Sequence, residues 1–330
     1  MFLSITKPAL ATTIIGTMFA SMLTASSLAA EQKFSVWLEG VRAEARQRGL
    51  KSETISSSLT DIKPIPRVIE LDRRQPEFTL TLDQYLSRVV NERRVRKGRK
   101  RFAKHRTLLL KVSAKYRVQP RFILALWGIE TDFGRLKGGF PVISALATLA
   151  YDGRRSAYFR KEMFNALTIV DQGHILAKDM IGSWAGAMGQ NQFMPSSFLR
   201  YAVDYDGDGR RNIWTSVEDV FASTANYLRR MGWRDDQTWG RKVRLPKDFD
   251  KALLDLKIKK GLNVWQELGV RRFDGGDLPR RNLTASIVSP GKNKDSVFVV
   301  YGNYRAILKW NRAHFFAIAV GRLADHIAGG

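Results

Sequence analysis

An unbroken run of apolar or small residues, Phe122 to Ile129, leads directly into Glu130 in the stretch FILALWGIETDFG. A carboxylate placed behind such a run is costly to bury. It is tolerated where the group is neutral, paired or useful. An apolar setting disfavours the ionised form and lifts a carboxyl towards the range of a general acid. The plain alternative is a glutamate at a helix end that faces water.

The chain has 330 residues. Lys7 is followed by an apolar, Thr/Ser-dotted run from Pro8 to Leu23 and then by ASSLAAEQ. This is the layout of a secretory signal peptide over residues 1–30, cleaved near Ala29 or Ala30. Thr12, Thr13 and Thr17 break the run, which argues against an uncleaved anchor. No other stretch is long and apolar enough to span a bilayer. There is no cysteine. Disulfides, thiol catalysis and attachment through a lipoprotein cysteine are thereby excluded. Residues 31–330 suffice for a sizeable core, as one large domain or a domain with an insertion. Lys and Arg total 55 against 31 Asp and Glu. Such a field draws in polyanions. For an exported chain, wall polymers and anionic membrane surfaces come before nucleic acid.

Taken in order, residues 34–60 read as helical, with Phe34, Trp37, Leu38 and Val41 at helix spacing. PIPR at 64–67 breaks the pattern, and 68–90 is mixed, with Pro76 inside. Residues 93–106 carry a basic run, either a solvated helix face or an electrostatic guide for an anionic polymer. Its few aromatics weaken a single-strand nucleic-acid reading. Residues 107–118 form an amphipathic helix, and Pro120 opens the next one, which carries Phe122 to Glu130. Helices are also expected over 142–150, 157–170 and 216–231. From about 241 to 303 the character changes, and TASIVS at 284–289 and SVFVVY at 296–301 read as strands of a small β-containing insertion. Helix then returns through Asn311, Phe315, Phe316 and Leu323. The class expected is mainly α, α+β overall.

The four histidines, His105, His174, His314 and His326, are scattered, and no HExxH, GxSxG or Walker motif occurs. In DYDGDGRRN, Asp204, Asp206 and Asp208 take positions 1, 3 and 5 of an EF-hand loop, with Gly209 at position 6. Position 12 is Thr215, where a bidentate Glu belongs, so Glu218 or Asp219 is left to close the shell. An acidic turn without metal is the alternative. In GSWAGAMGQNQFMPSS, small residues let backbone approach a polymer. Gln190, Asn191 and Gln192 offer hydrogen bonds, and Trp184, Phe193 and Met194 offer apolar walls. Composition alone is equally consistent with a tightly packed helix–helix contact.

Four segments together carry a resemblance: GIETDFG at 128–134, FPVISALATLAYDGRRSAYFRKE at 140–162, GSWAGAMGQNQFMPSSFLRYAVDYDGDG at 182–209 and KWNRAHFFAIAV at 309–320. With them the chain resembles the lytic murein transglycosylase B family over residues 34–326. The resemblance implies a lysozyme-like helical catalytic core with a small antiparallel β-containing subdomain. It implies non-hydrolytic cleavage of peptidoglycan between N-acetylmuramic acid and N-acetylglucosamine, leaving 1,6-anhydromuramoyl ends. One Glu acts in such enzymes, and it matches Glu130. By the same motifs Ser183 and Asn311 position the reacting sugar, Met188 and Gln192 line the cleft, and Tyr227 joins them. Asp204, Asp206 and Asp208 match the family's cation loop, so a structural Ca2+ or Na+ is the one ion expected, and no cofactor is required for the chemistry.

Two departures stand out: Trp310 occupies a place commonly held by Tyr, and Ala313 one often held by Ser. Glycan strands are the partner expected, with neither nucleic acid nor a membrane span, and the chain is expected to be monomeric and periplasmic. Asp132 and Glu162 are the rival acids. A hydrolytic muramidase, which leaves reducing ends, a non-catalytic wall- or polyanion-binding protein, and a secreted nucleic-acid binder, for which the basic run is the only evidence, are the rival readings of function.

Overall fold

The computed structural model describes residues 33–74, 80–291 and 296–329. The leader read at 1–30 and Pro76 lie outside them. The helical stretch expected over 34–60 divides in two, a helix at 33–47 and a second at Ser52–Leu59. Gly49, at φ 76°, takes the left-handed conformation that lets Leu50 N–H return to the Ala45 carbonyl and stop the first helix.

Helix Pro120–Thr131 is the axis of the molecule. Proline at its first position loses nothing, because that N–H has no partner inside a helix. Every residue from Phe122 to Gly128 is buried. Helices Glu92–Lys104, Arg106–Tyr116, Val217–Arg230 and His314–Ile327 all pack on it. Each large side chain so enclosed contributes roughly 1.5–3 kcal/mol, which is why the apolar run has no exposed face. Close crossing is possible because Gly128 has no side chain: a Cβ there would lie 2.7 Å from the Phe133 ring and 3.2 Å from Leu323. A second layer joins Val142–Asp152 to Ser156–Asp171.

Strands β1 (Phe140–Pro141) and β2 (Ile181–Gly182) make a short antiparallel ladder. The larger sheet holds β3 (Gly240–Arg244), β4 (Lys260–Gly261), β5 (Arg271–Arg272), β6 (Thr284–Val288) and β7 (Val297–Val300), in the order β4-β6-β7-β3-β5, all antiparallel. The two strands legible in the sequence are β6 and β7. Alternate residues of β7 serve different cores. Phe298 and Val300 join the main helical core, while Val297 and Val299 face a smaller cluster with Val243, Leu262, Trp265 and Ile287. A strand buried on both faces is apolar throughout, as this one is.

Candidate active site

Glu130 sits in the last turn of helix Pro120–Thr131, half-buried. Burial pushes its carboxyl up to about 7, against a single opposing hydrogen bond. That bond comes from Trp310, whose indole Nε1–H donates to Glu130 Oε1 at 2.6 Å. Tyr85, on helix Leu82–Val89, also faces the carboxyl. Burial first, then the Glu130 charge, raises its phenol. Neither partner was assigned a role by sequence. Trp310 was visible only as a departure from a motif, and Tyr85 gave no signal.

The two rival acids are engaged elsewhere. Asp132 caps the same helix in the left-handed region, at φ 50°. Its burial would raise its pKa, but hydrogen bonds from Arg135 at 2.7 Å and Lys97 at 3.1 Å outweigh that and hold it low. Glu162 is buried, and its Oε2 accepts the Ser196 N–H at 2.8 Å, in the first turn of helix Pro195–Tyr201. The basic run is accordingly not uniformly solvated: Lys97 turns inward to Asp132, whereas Arg93, Arg96 and Lys100 are exposed.

Residues 182–194 form a looped segment rather than a helix. It is sewn to the chain that follows Glu130. The β1–β2 ladder holds one end. Thr131 Oγ1 donates to the Gln190 carbonyl at 3.0 Å, and Gln192 Nε2 donates to the Lys137 carbonyl at 3.2 Å. Ser183 is half-buried at the head of a tight turn, its Oγ accepting the Ala187 N–H at 3.0 Å. Gln192 is half-buried and left-handed, at φ 51°. Such backbone strain is maintained only where the surroundings impose it.

Three expectations need correction here. Gln190 and Asn191 are not free to meet a ligand. Gln190 accepts from Trp127 Nε1 at 2.8 Å and donates to the Trp214 carbonyl at 3.0 Å. Asn191 donates to Val220 O and Thr224 Oγ1. Met188 does not line an open cleft. It is fully buried, because the antiparallel bridges to Gly182 and Phe193 turn it inward.

Tyr227 also stands behind the surface. Its hydroxyl donates to the Lys309 carbonyl at 2.6 Å, and burial pushes it up to about 12. Its ring lies 4.8 Å from that of Trp310 and 5.7 Å from that of Phe193, and Phe193 lies 5.1 Å from Trp310. Asn311, the next residue, is exposed at the end of helix Gly302–Trp310, its Oδ1 accepting from Ala313 N–H. Glu130, Trp310, Phe193 and Tyr227 thus come together from four separate parts of the chain.

The acidic loop folds differently from its sequence spacing. Asp204, Asp206 and Asp219 bring carboxylate oxygens within 4.8 Å of one another. Asp208 is not in that group and accepts from Arg210 N–H at 2.8 Å. Asp219 is buried. Burial raises its pKa, Tyr205 and Asn212 N–H groups lower it, and the Asp206 and Asp204 charges raise it further. A hard cation with oxygen ligands would relieve that repulsion, so the donor set fits one.

Residues 33–325 match the family model described as Transglycosylase SLT domain. The chain is 34% identical over 222 residues to the membrane-bound lytic murein transglycosylase B of Escherichia coli (strain K12), an alignment covering 64% of this chain and 58% of that protein. Among solved structures it resembles SltB3 from Pseudomonas aeruginosa in complex with NAG-anhNAM-pentapeptide. The TM-score is 0.88 and the identity 44%, over 90% of this chain and 80% of that one. It also resembles the Escherichia coli lytic transglycosylase Slt35 in complex with calcium, at TM-score 0.73 and 26% identity, over 90% and 92% of the two chains.

Proposed function

Because the chain belongs to the transglycosylase SLT domain family, we propose that it cleaves peptidoglycan between N-acetylmuramic acid and N-acetylglucosamine without water, leaving 1,6-anhydromuramoyl ends, with Glu130 as its only acid and base. The observation that carries this reading is the Glu130 carboxyl, raised to about 7 and partnered by a tryptophan rather than a cation. SltB3 is solved in complex with NAG-anhNAM-pentapeptide and with NAG-NAM-pentapeptide, which supports a muropeptide substrate of this kind.

Ordinary glycosidases need two carboxylates. One suffices where the substrate supplies the nucleophile. Protonated Glu130 gives its proton to the leaving glycosidic oxygen. The muramic acetamido group stabilises the cationic centre by ring formation. Ionised Glu130 then takes the proton of the sugar's own 6-hydroxyl, whose oxygen bonds C1 as the acetamido oxygen leaves it, closing the anhydro ring. An intramolecular nucleophile gains as much as roughly 7–11 kcal/mol over water in well-oriented cases. Ser183, Gln192 and Asn311 hold the sugar, and Tyr227 and Met188 act from behind as support. Asp204, Asp206 and Asp219 hold a Ca2+ or Na+ that steadies the loop. We place the mature chain in the periplasm, where its basic charge meets stem-peptide carboxylates. No helix among the described residues is long and apolar enough to cross a membrane.

Glu130→Gln tests the assignment. It should remain folded and bind purified sacculi, yet fail to clear them. Wild-type clearing by that variant would remove Glu130 from the chemistry.

A further inference from the structure

We infer that Trp310 is the positioning residue for the Glu130 carboxyl: its indole N–H engages Oε1 and so leaves Oε2 to give up and recover the proton. The inference rests on the acid–base role of Glu130 proposed above. An indole N–H donates and never accepts. Of the two oxygens of a protonated carboxyl the carbonyl oxygen is the better acceptor, and the indole nitrogen lies 2.6 Å from Oε1. The contact therefore favours the acidic hydrogen on Oε2, and the ionised form keeps the same donor on Oε1. A tyrosine hydroxyl in that place could either donate or accept, and would not impose one arrangement.

The indole is itself held. It closes helix Gly302–Trp310 and packs against Phe193 and Tyr227. The residue before it is pinned twice, by Tyr227 O–H on the Lys309 carbonyl and by Lys309 Nζ on the Met231 carbonyl at 3.0 Å. Phe193 belongs to the looped segment that also bears Ser183 and Gln192, so the ring that aims the acid also touches the segment assigned to the sugar. Few charges intervene. Tyr85 faces the carboxyl from helix Leu82–Val89. Asp132, two residues on, is bound by Arg135 and Lys97, with Arg94 at 3.9 Å. His314, on the following helix, is bonded to Tyr304.

The test compares wild type with Trp310→Phe and with a chain carrying 3-benzothienylalanine in place of Trp310, which keeps the bicyclic shape and lacks the donor. On purified glycan, both should lower kcat at least about tenfold while KM stays within about threefold, since one transition-state contact is lost. The alkaline limb of kcat/KM should move up by about one pH unit, because the ionised form has lost its donor. If Trp310→Phe folds poorly, the benzothienyl chain supplies both readouts. Wild-type kcat with an unmoved limb in the benzothienyl chain overturns the inference and leaves Glu130 as acid untouched. Clearing of sacculi by Glu130→Gln would instead overturn the reading beneath it.

Discussion

At the scale of single residues, the behaviour expected of the molecule with pH follows from the role proposed for Glu130. Its carboxyl must be protonated to act as an acid, and burial holds the transition at about 7. Activity, followed as kcat/KM on glycan strands, should therefore be level below that pH and fall above it. The same shift bears on stability. Below about pH 4.5 both folded and unfolded chains hold the proton. Between there and about 7 the unfolded chain releases it and the folded chain keeps it, so stability declines as pH rises. Above 7 the native state carries a poorly solvated charge. Glu130→Gln removes that charge and can still accept the Trp310 bond, so at pH 8 it should be more stable than wild type by on the order of 2 kcal/mol in urea unfolding. Equal stability at pH 8 would mean that the carboxyl is better solvated than its surroundings suggest. Glu130 was legible because the apolar run before it is local. The Trp310 contact spans 180 residues, and no local pattern encodes it.

At the scale of elements, helix spacing and proline placed the long helices closely, including the one that opens at Pro120. The strands β4 and β5 escaped, because two residues cannot show an alternation. Residues 182–194 stayed open for a related reason: small and amide residues suit either a packed helix contact or a looped segment, and only cross-chain bonds such as Gln192 to Lys137 decide. The β1–β2 ladder that carries this segment depends on Gly138. It lies at φ 96°, and a Cβ there would come within 2.0 Å of the Gly182 carbonyl oxygen and 2.7 Å of the Ser183 nitrogen. Gly138→Ala should cost about 2–4 kcal/mol and depress activity by displacing Ser183. Denaturant midpoints and glycan turnover of the one variant check both effects, and an unchanged midpoint would mean that the ladder yields easily.

At the scale of the whole molecule, the helical core joins two features that the sequence presented separately: the acid on the central helix and the acidic loop leading into helix Val217–Arg230. The loop was legible as a candidate cation site, with Glu218 or Asp219 to close it; that Asp219 rather than Glu218 joins Asp204 and Asp206, and that Asp208 does not, is decided only when the helix docks. Calcium at roughly a hundred times its dissociation constant should stabilise the fold by about 2.7 kcal/mol, raising the melting temperature by several degrees. Asp219→Asn should lose most of that rise, and an identical wild-type melting temperature in calcium and in chelator would remove the ion from the fold. The most direct measurement is the mass of the muropeptides released from purified sacculi. Fragments one water lighter than hydrolytic products, with anhydro-muramic ends and none from Glu130→Gln, are expected. Reducing ends from the wild-type protein would contradict a single carboxyl acting as both acid and base on its own substrate.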